Sequence, residues 1–305
     1  MVSWGQNLVP NPSFEQMNNC PTLFGDFSVS DWTKPTQGSP DYFNTCNGGD
    51  AGVPNNILGN QNALSGNAYV GLGVYDTQSV YSYREYVQVH LQQSLNAGQK
   101  YWVSFYVSLS DSARYAIQEM GIYFSSSQIN QGSMDTTLMM TPQIEFSDGV
   151  ITDKNTWTKV NGSFMASGNE NFIVIGNFNR KQTTNAIYTN TGNQPTTSYY
   201  YIDDVCVADD SLTCASPLGT QEENAEINFT VYPNPVSDFL FVSNEGQEPY
   251  DITIYNALGQ LLYSENGITT TKKQIDCQNY GSGLILISIK SNDKILNYKF
   301  LKPKL

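Results

Sequence analysis

The sequence predicts an all-β protein, and two observations carry that prediction. Apolar and polar residues alternate with period two in segment after segment, whereas no segment sustains the period of an amphipathic helix. Charged residues make up only 14% of the chain, while 20 Tyr, 14 Phe and 24 Gly favour short strands and turns. A length of 305 residues is enough for two domains, each with its own core.

The strand pattern is clearest in YWVSFYVSLSD (101–111), where Val103, Phe105 and Val107 face one side while Trp102 and Tyr106 face the other. The further predicted strands before residue 208 are NAYVGLGVY (67–75), YREYVQVHL (83–91), AIQEMGIYFSS (116–126), TWTKVNGSFMA (156–166), NFIVIGNF (171–178) and YYYIDDVCV (199–207).

The character of the sequence changes after Val207. The stretch ADDSLTCASPLGTQEENAE has no basic residue and little that a core would bury, so 208–225 is predicted to be a linker. The short strands that follow are separated by Asn, Gly and Pro turns, and about 80 residues in this pattern predict a small Ig-like sandwich. These strands are NFTVYP, DFLFVSN, YDITIYNALGQLLYSE, TKKQIDC, GLILISIKSN and ILNYKFLK.

Charge and hydropathy exclude two classes of partner. The 15 Lys and Arg against 28 Asp and Glu give a net charge of −13, which repels phosphate backbones, so nucleic acid is excluded. No run approaches the roughly 20 apolar residues that a membrane-spanning helix needs. At the start of the chain, Ser3 and Gly5 occupy the −3 and −1 positions of a signal-peptidase cut before Gln6, so residues 1–5 are expected to be the remnant of a signal peptide.

No two of the five cysteines have C-x-x-C spacing, and the chain contains a single histidine, which together exclude a zinc site. Two disulfides are expected, Cys20 with Cys46 and Cys206 with Cys214, which leaves Cys277 over. The alternative is five buried thiols.

YPNPVSDFLFVS (232–243) and ITIYNALGQLL (252–262) resemble the first two sequence blocks of the C-terminal sorting domain of the Bacteroidetes type IX secretion system. The closing NYKFLKPKL also fits, whereas YGSGLILISIKSN has Leu284 and Ile285 where the family has an aromatic residue. The resemblance covers 226–305. It implies export by the type IX machinery, followed by release or retention at the outer surface. The alternative is a plain Ig-like adhesion module.

NLVPNPSFE (7–15) and YYIDDV (200–205) resemble the first and last strands of galactose-binding-like jelly rolls, the fold of many carbohydrate-binding modules. The resemblance covers 6–207 and implies a large jelly-roll sandwich with a structural calcium. The implied calcium ligands are the Ser13 carbonyl, the Glu15 side chain, Asn67 from Ser65-Gly66-Asn67, and Asp203 with Asp204 as the alternative.

The residues themselves support part of this implication. Ile202 and Val205 both suit a core although their parity differs, so a bulge at Asp203-Asp204 is expected to turn one carboxylate inward. Calcium prefers several hard oxygen ligands, and a carboxylate next to a buried ring needs a compensating partner. Alternatively, Glu15 pairs with a lysine or a backbone amide and both aspartates are solvated.

Two places suit glycan binding, because flat rings pack on sugar C–H groups while polar side chains hydrogen-bond the hydroxyls. The first is a groove on the face opposite the predicted core, formed by Trp102, Tyr106, Arg84, Tyr86, Gln88, Glu119 and Tyr123. The second is the loop 31–46, with Trp32 and Tyr42. In the alternative interpretation, loops cover the groove residues and the loop rings plug the end of the sandwich.

Signals for catalysis are weak. His90 is the only histidine, it is expected at the surface, and no G-x-S-x-G motif surrounds a serine. Glu85, Asp111 and Glu119 are candidate carboxylates for a glycosidase, but nothing in the sequence fixes their separation. We therefore expect a secreted, non-catalytic, calcium-stabilised glycan-binding module. The alternatives are a surface adhesin that contacts protein or cell-wall material, and a glycoside hydrolase.

Overall fold

The structure, a computed structural model, describes residues 6–78, 83–132, 137–189, 192, 196–215, 229–244, 249–291 and 294–303. The chain divides into two compact units, 1–221 and 222–305. The expected signal-peptide remnant 1–5 and residues 216–225 of the predicted linker lie outside the described residues. No helix long and apolar enough to cross a membrane is found in the described part.

The first unit consists of strands joined by turns and loops. In chain order the strands are β1 (Trp32–Thr33), β2 (Asp41–Asn44), β3 (Asn55–Asn56), β4 (Gly59–Asn60), β5 (Ala68–Asp76), β6 (Val87–His90), β7 (Lys100–Leu109), β8 (Tyr115–Ile117), β9 (Gly121–Ser125), β10 (Ile144–Glu145), β11 (Thr158–Met165), β12 (Phe172–Gly176), β13 (Ala186–Tyr188) and β14 (Thr197–Ala208).

Two antiparallel five-stranded sheets form a sandwich, as the sequence predicts. The first sheet has the strand order β1-β6-β12-β9-β10 and the second β11-β7-β14-β5-β2. Val103, Phe105 and Val107 of β7 pack inward between the sheets, because alternate side chains of a strand point to opposite faces. Two short two-stranded sheets, β3-β4 and β8-β13, lie outside these sheets.

The bulge expected in the last strand of this unit is present. The register of β14 against β7 shifts between Asp203 and Cys206, and Asp204 has a φ of +52°. Ile202 and Val205 are consequently both in the core in spite of their different parity.

The segment 116–126 differs from the prediction of one strand. It divides into β8, which pairs with β13, and β9, which belongs to the first sheet. Between them, both carboxylate oxygens of Glu119 accept hydrogen bonds from the Asn185 N–H, at 2.8 and 3.0 Å. Because Asn185 directly precedes β13, this contact holds β13 next to the point where the predicted strand breaks.

Both expected disulfides are present, Cys20–Cys46 and Cys206–Cys214, while Cys277 is a buried free thiol. The predicted linker therefore starts too early. The Cys206–Cys214 bond draws residues 209–215 onto the second sheet, where Lys159 Nζ donates to the carbonyls of Cys214 and Ala215, both at 2.7 Å.

The second unit is a smaller sandwich with its own core. Its strands are β15 (Phe229–Tyr232), β16 (Phe239–Asn244), β17 (Tyr250–Asn256), β18 (Leu261–Ile268), β19 (Lys272–Asp276), β20 (Gly283–Ser291) and β21 (Lys294–Lys302). They form the sheets β15-β16-β19 and β18-β17-β20-β21. Within the YPNP stretch, Asn234 donates to the Lys299 carbonyl at 3.2 Å and accepts from the Leu301 N–H at 3.0 Å, which fastens the turn to β21.

Candidate functional site

Glu15 fastens the loop before β5. Its Oε1 accepts hydrogen bonds from the backbone N–H groups of Asn67 at 2.8 Å and Ala68 at 3.0 Å, and its Oε2 accepts from Asn67 Nδ2 at 3.3 Å. The sequence suggested calcium, a lysine or a backbone amide as the partner of Glu15, and three amide N–H donors contact it in the structure. Gly66 has a φ of +68°, and a Cβ there would lie 2.4 Å from the Glu15 carboxylate. The loop is thus closed tightly around this side chain.

The β14 bulge directs Asp203 to the same loop. Asp203 is fully buried, and its Oδ2 accepts from the N–H groups of Leu64 at 2.8 Å and Ser65 at 3.2 Å. Its Oδ1 accepts from the N–H of Asp204 at 2.7 Å. Burial raises the pKa of Asp203 well above its ordinary value, and the neighbouring Asp204 adds to that rise. Both Asp203 oxygens therefore already have main-chain donors.

The two carboxylate oxygens of Asp204 differ in their hydrogen bonding. Its Oδ1 accepts from the Ser65 hydroxyl at 3.2 Å, but its Oδ2 is buried and has no hydrogen-bond partner. Burial raises the pKa of Asp204 to about 6, Glu15 contributes to the rise, and Lys159 opposes it. A buried carboxylate oxygen with no donor is the chemistry of a cation ligand. Within the described ranges, no three His, Cys, Asp or Glu side chains are grouped to hold a metal, so an ion here would also need main-chain oxygens.

The predicted glycan groove is not assembled, because its residues belong to different sheets. Trp102 and Tyr106 lie on β7 of the second sheet, whereas Gln88 and Tyr123 lie on β6 and β9 of the first. The inward residues of both sheets share one core, so the outer faces of these strands point away from each other. Period-two alternation identified the outward side chains correctly but not the sheet that carries them.

Residues Ile129 and Leu138, which follow β9, cover part of the outer face of the first sheet. Tyr86 and Val174 pack with Leu138 in an apolar cluster, against which Tyr123 also packs. Gln88 Oε1 accepts from the Ile129 N–H at 2.8 Å. Arg84, Tyr86 and Gln88 are each fully buried. These side chains are therefore structural, as the alternative interpretation of the sequence proposed.

Trp102 and Tyr106, on the outer face of the second sheet, are also partly covered. Trp102 packs against the buried Cys206 and Cys214, with Lys100 Nζ 5.1 Å from its ring centroid. Tyr106 is buried and lies beneath Lys159 Nζ, at 5.6 Å. Burial and the charge of Asp204 raise the pKa of Tyr106 to about 12.

Trp32 and Tyr42 belong to the core rather than to a binding loop. The Trp32 ring lies 4.9 Å from that of Phe14, and its Nε1 donates to the Asn11 carbonyl at 3.0 Å. The Tyr42 hydroxyl donates to the Phe14 carbonyl at 2.9 Å. Both rings plug the sandwich, which was the alternative interpretation for this loop.

The three candidate catalytic carboxylates have separate structural roles. Glu85 is buried and accepts from the Gly73 N–H at 2.6 Å and the Tyr83 hydroxyl at 2.8 Å. Asp111 is exposed and accepts from the Asn60 N–H at 2.8 Å, while Glu119 holds the residue that precedes β13. His90 is exposed, as expected of a surface residue. Its ring packs edge-on against that of Phe172, with the ring centroids 4.7 Å apart.

The sequence did not predict the group that contains Tyr188, the most exposed aromatic side chain among the described residues of the first unit. Strand pairing places Tyr188 of β13 opposite Tyr115 of β8, with ring centroids 5.5 Å apart. The Tyr115 ring lies 5.8 Å from that of Tyr75, near the end of β5. Tyr188 is 51% exposed, and the other two are half-buried. We call these three residues the tyrosine row.

The comparisons with known proteins identify the second unit. Residues 230–302 match the family model described as "Secretion system C-terminal sorting domain". The C-terminal unit is a type IX sorting domain. The sorting domain marks the chain for export, with secretion or attachment at the outer surface, as the sequence resemblance implied. The departures at Leu284 and Ile285 leave β20 intact.

The solved structures that resemble this protein share little of its sequence and superpose on it with low TM-scores. The CBM22-1 xylan-binding domain of Paenibacillus barcinonensis Xyn10C is 11% identical and covers 68% of this chain and 94% of its own, with a TM-score of 0.32. The adhesin domain of Epf from Streptococcus pyogenes is 10% identical and covers 78% of each chain, with a TM-score of 0.26. TM-scores this low carry no inference about a ligand. No curated protein matches the chain.

Proposed function

We propose that this protein is an exported, non-catalytic module that binds a glycan through the tyrosine row and is stabilised by calcium. The observation that carries the proposal is the row itself: three neighbouring tyrosine rings at one end of the sandwich, with the outermost half exposed. Export supports the proposal, because the sorting domain delivers the chain to a compartment where polysaccharides are present.

Aromatic rows suit sugars for a physical reason. A pyranose ring has an apolar face of C–H groups, which pack on an aromatic ring, while the phenolic hydroxyls can exchange hydrogen bonds with sugar hydroxyls. The β8-β13 pairing fixes Tyr115 and Tyr188 opposite each other, and Tyr115 also packs on Tyr75. A row held this way loses little conformational entropy on binding.

The non-catalytic part of the proposal is supported by the carboxylates. A glycosidase needs two carboxyl groups that flank the scissile bond, about 5 to 9 Å apart. Glu85 is buried among its donors and Glu119 is committed to the Asn185 amide. Asp111 is exposed but is linked to the Asn60 N–H rather than to another carboxylate.

The calcium part of the proposal is supported by Asp204. Its Oδ2 has no hydrogen-bond partner, the charge of Glu15 raises its pKa, and the loop at Gly66 is tight. A cation bound here would relieve the repulsion between the two carboxylates. Asp204 with the Ser13 carbonyl forms the ligand set that we propose. Asp203 and Glu15 are left out because the oxygens of each already accept three N–H groups. Calcium would supply no chemistry there beyond charge and coordination.

The test is affinity electrophoresis of the full chain through gels that contain a panel of soluble neutral and acidic polysaccharides. We expect retardation by at least one glycan, and a loss of affinity of about 5- to 10-fold in Tyr188→Ala, since a stacked ring contributes roughly 1 kcal/mol. Tyr232→Ala, an exposed tyrosine of the sorting domain, is the matched control and should not change the affinity. Retardation by no glycan would contradict the proposal and favour a surface adhesin for protein.

A further inference from the structure

The tyrosine row is unusual in its charge. Residues 1–221 contain eight Lys and Arg but 18 Asp and Glu, so most of this unit repels anions. Three of those eight basic residues nevertheless lie around the row: Arg84, Arg114 and Lys181.

Arg84 and Lys181 lie at the Tyr75 end. The Arg84 guanidinium is buried 5.4 Å from the centroid of the Tyr75 ring, and its Nη1 donates to the Tyr83 carbonyl at 2.9 Å. Lys181 Nζ donates to the carbonyl of Thr77, two residues after Tyr75. Both positive charges are therefore fixed behind the row by main-chain oxygens.

Arg114 lies beside Tyr115 and is half-buried. Its Nε donates to the Gly192 carbonyl at 2.8 Å, and its own carbonyl accepts from the N–H of Thr189 at 2.8 Å, next to Tyr188. A guanidinium has five N–H donors, so the Nε bond orients the group and leaves its terminal nitrogens for a ligand.

Two buried carboxylates near the row accept from main-chain amides, Glu85 from the Gly73 N–H and Glu119 from the Asn185 N–H. A third is Asp76, whose electrostatic effect reaches Tyr75. Its Oδ1 accepts from the Gln78 N–H at 2.7 Å, so it is directed toward its own loop. Three positive groups therefore lie near three carboxylates, so the charges around the row balance within an otherwise acidic unit. A polymer that carries carboxylates would be repelled less here than elsewhere on the unit, and Arg114 offers it a direct partner.

We propose that the ligand of the tyrosine row is an acidic polysaccharide, whose uronate carboxylates pair with Arg114 while its sugar faces pack on Tyr115 and Tyr188. This inference rests on the proposed glycan-binding function. The planar guanidinium matches a carboxylate in a two-bond fork, which a hydroxyl group cannot replace. Specificity for a charged over a neutral chain follows from that pair, and affinity for either follows from the rings.

The experiment measures binding of the full chain to polygalacturonate, and to the same polymer after its carboxyl groups have been reduced to alcohols. Alginate and hyaluronan serve as two further uronate polymers. The variants are Arg114→Gln and Lys100→Gln, which remove the same charge, the second beside Trp102 and away from the row. Each is measured at low and at physiological salt, because attraction between exposed charges is screened by salt.

We expect at least one uronate polymer to bind about tenfold more tightly than neutral polymers, Arg114→Gln to abolish that preference, and Lys100→Gln to preserve it. The acidic ligand is wrong if polygalacturonate and its reduced form bind with equal affinity and neither alginate nor hyaluronan binds more tightly than neutral polymers. The proposed function still stands in that case if Tyr188→Ala weakens binding. Failure to bind any glycan, charged or neutral, overturns both.

Discussion

The hydroxyl of Tyr199 donates a hydrogen bond to the buried carboxyl group of Asp41, whose other oxygen accepts from the Gly25 N–H at 2.6 Å. Burial raises the pKa of Asp41 to about 8, and the charge of Glu85 adds to the rise. The group thereby joins β2, β14 and the loop that carries the Cys20–Cys46 bond. The sequence predicted no particular role for either residue.

The first prediction concerns the pH dependence that Asp41 imposes. The folded state holds its proton up to about pH 8, whereas the unfolded chain releases it near 3.8. The folded state therefore binds more protons throughout that window, so stability falls as the pH rises from 4 to 8, by at most about 1.4 kcal/mol per pH unit. In Asp41→Asn, thermal midpoints measured from pH 5 to 8 should fall less steeply than in the wild type.

Asp203 and Asp204 also have raised pKa values, so part of the slope remains in this variant. Asp111→Asn, at an exposed site, is the control and should leave the slope unchanged. If Asp41→Asn and the wild type show parallel profiles, the proposed proton at Asp41 is wrong.

The second prediction concerns the loop around Glu15. Gly66→Ala should lower stability by about 1 to 3 kcal/mol, because a non-glycine residue is strained at φ +68° and its Cβ would overlap the Glu15 carboxylate. For a unit of this size that is a fall in thermal midpoint of roughly 2 to 10 °C. Gly48→Ala is the matched control, since its Cβ would meet open space and its φ is ordinary. Equal midpoints for the two variants would contradict the clamp.

The third prediction separates a calcium site from a buried charge. Calcium should raise the thermal midpoint of the wild type by mass action, and Asp204→Asn should remove that response. In the presence of a chelator the same variant should be as stable as the wild type or more so at pH 7.5, because Asp204 is ionised above its pKa of about 6 and burial disfavours that charge. A calcium response that persists in Asp204→Asn would place the ion elsewhere.

The fourth prediction concerns the thiols. Unfolding the chain in guanidinium without a reductant should expose one reactive thiol, from Cys277, and reduction should expose all five. Without the Cys206–Cys214 bond, the first unit should lose about 2 to 4 kcal/mol of stability. Five thiols before reduction would contradict both disulfides.

Sequence reasoning recovered the features that local pattern encodes. Alternation located β5, β7, β11, β12 and β14 within a few residues, and the mismatched parity of Ile202 and Val205 located the bulge. The YPNP block located the sorting domain, because its prolines and Asn234 specify a turn fastened to the last strand. Each of these signals lies within a dozen residues of sequence.

The candidate site depended on pairing between distant strands, which alternation does not encode. Alternation places both Trp102 and Gln88 on outer faces. Trp102, however, lies on β7 beside β11, whereas Gln88 lies on β6 beside β12. Tyr115 and Tyr188 meet only because β8 leaves the first sheet to pair with β13. The predicted groove failed and the tyrosine row was missed for the same reason.

The most direct test of glycan binding at the tyrosine row is backbone hydrogen exchange of the full chain, with and without a saturating amount of the polysaccharide that binds most tightly. Our account predicts new protection in Tyr115–Ile117, Ala186–Tyr188 and the end of Ala68–Asp76, and its loss in Tyr188→Ala. Protection confined to Lys100–Leu109 around Trp102, or no protection at any glycan concentration, would contradict it.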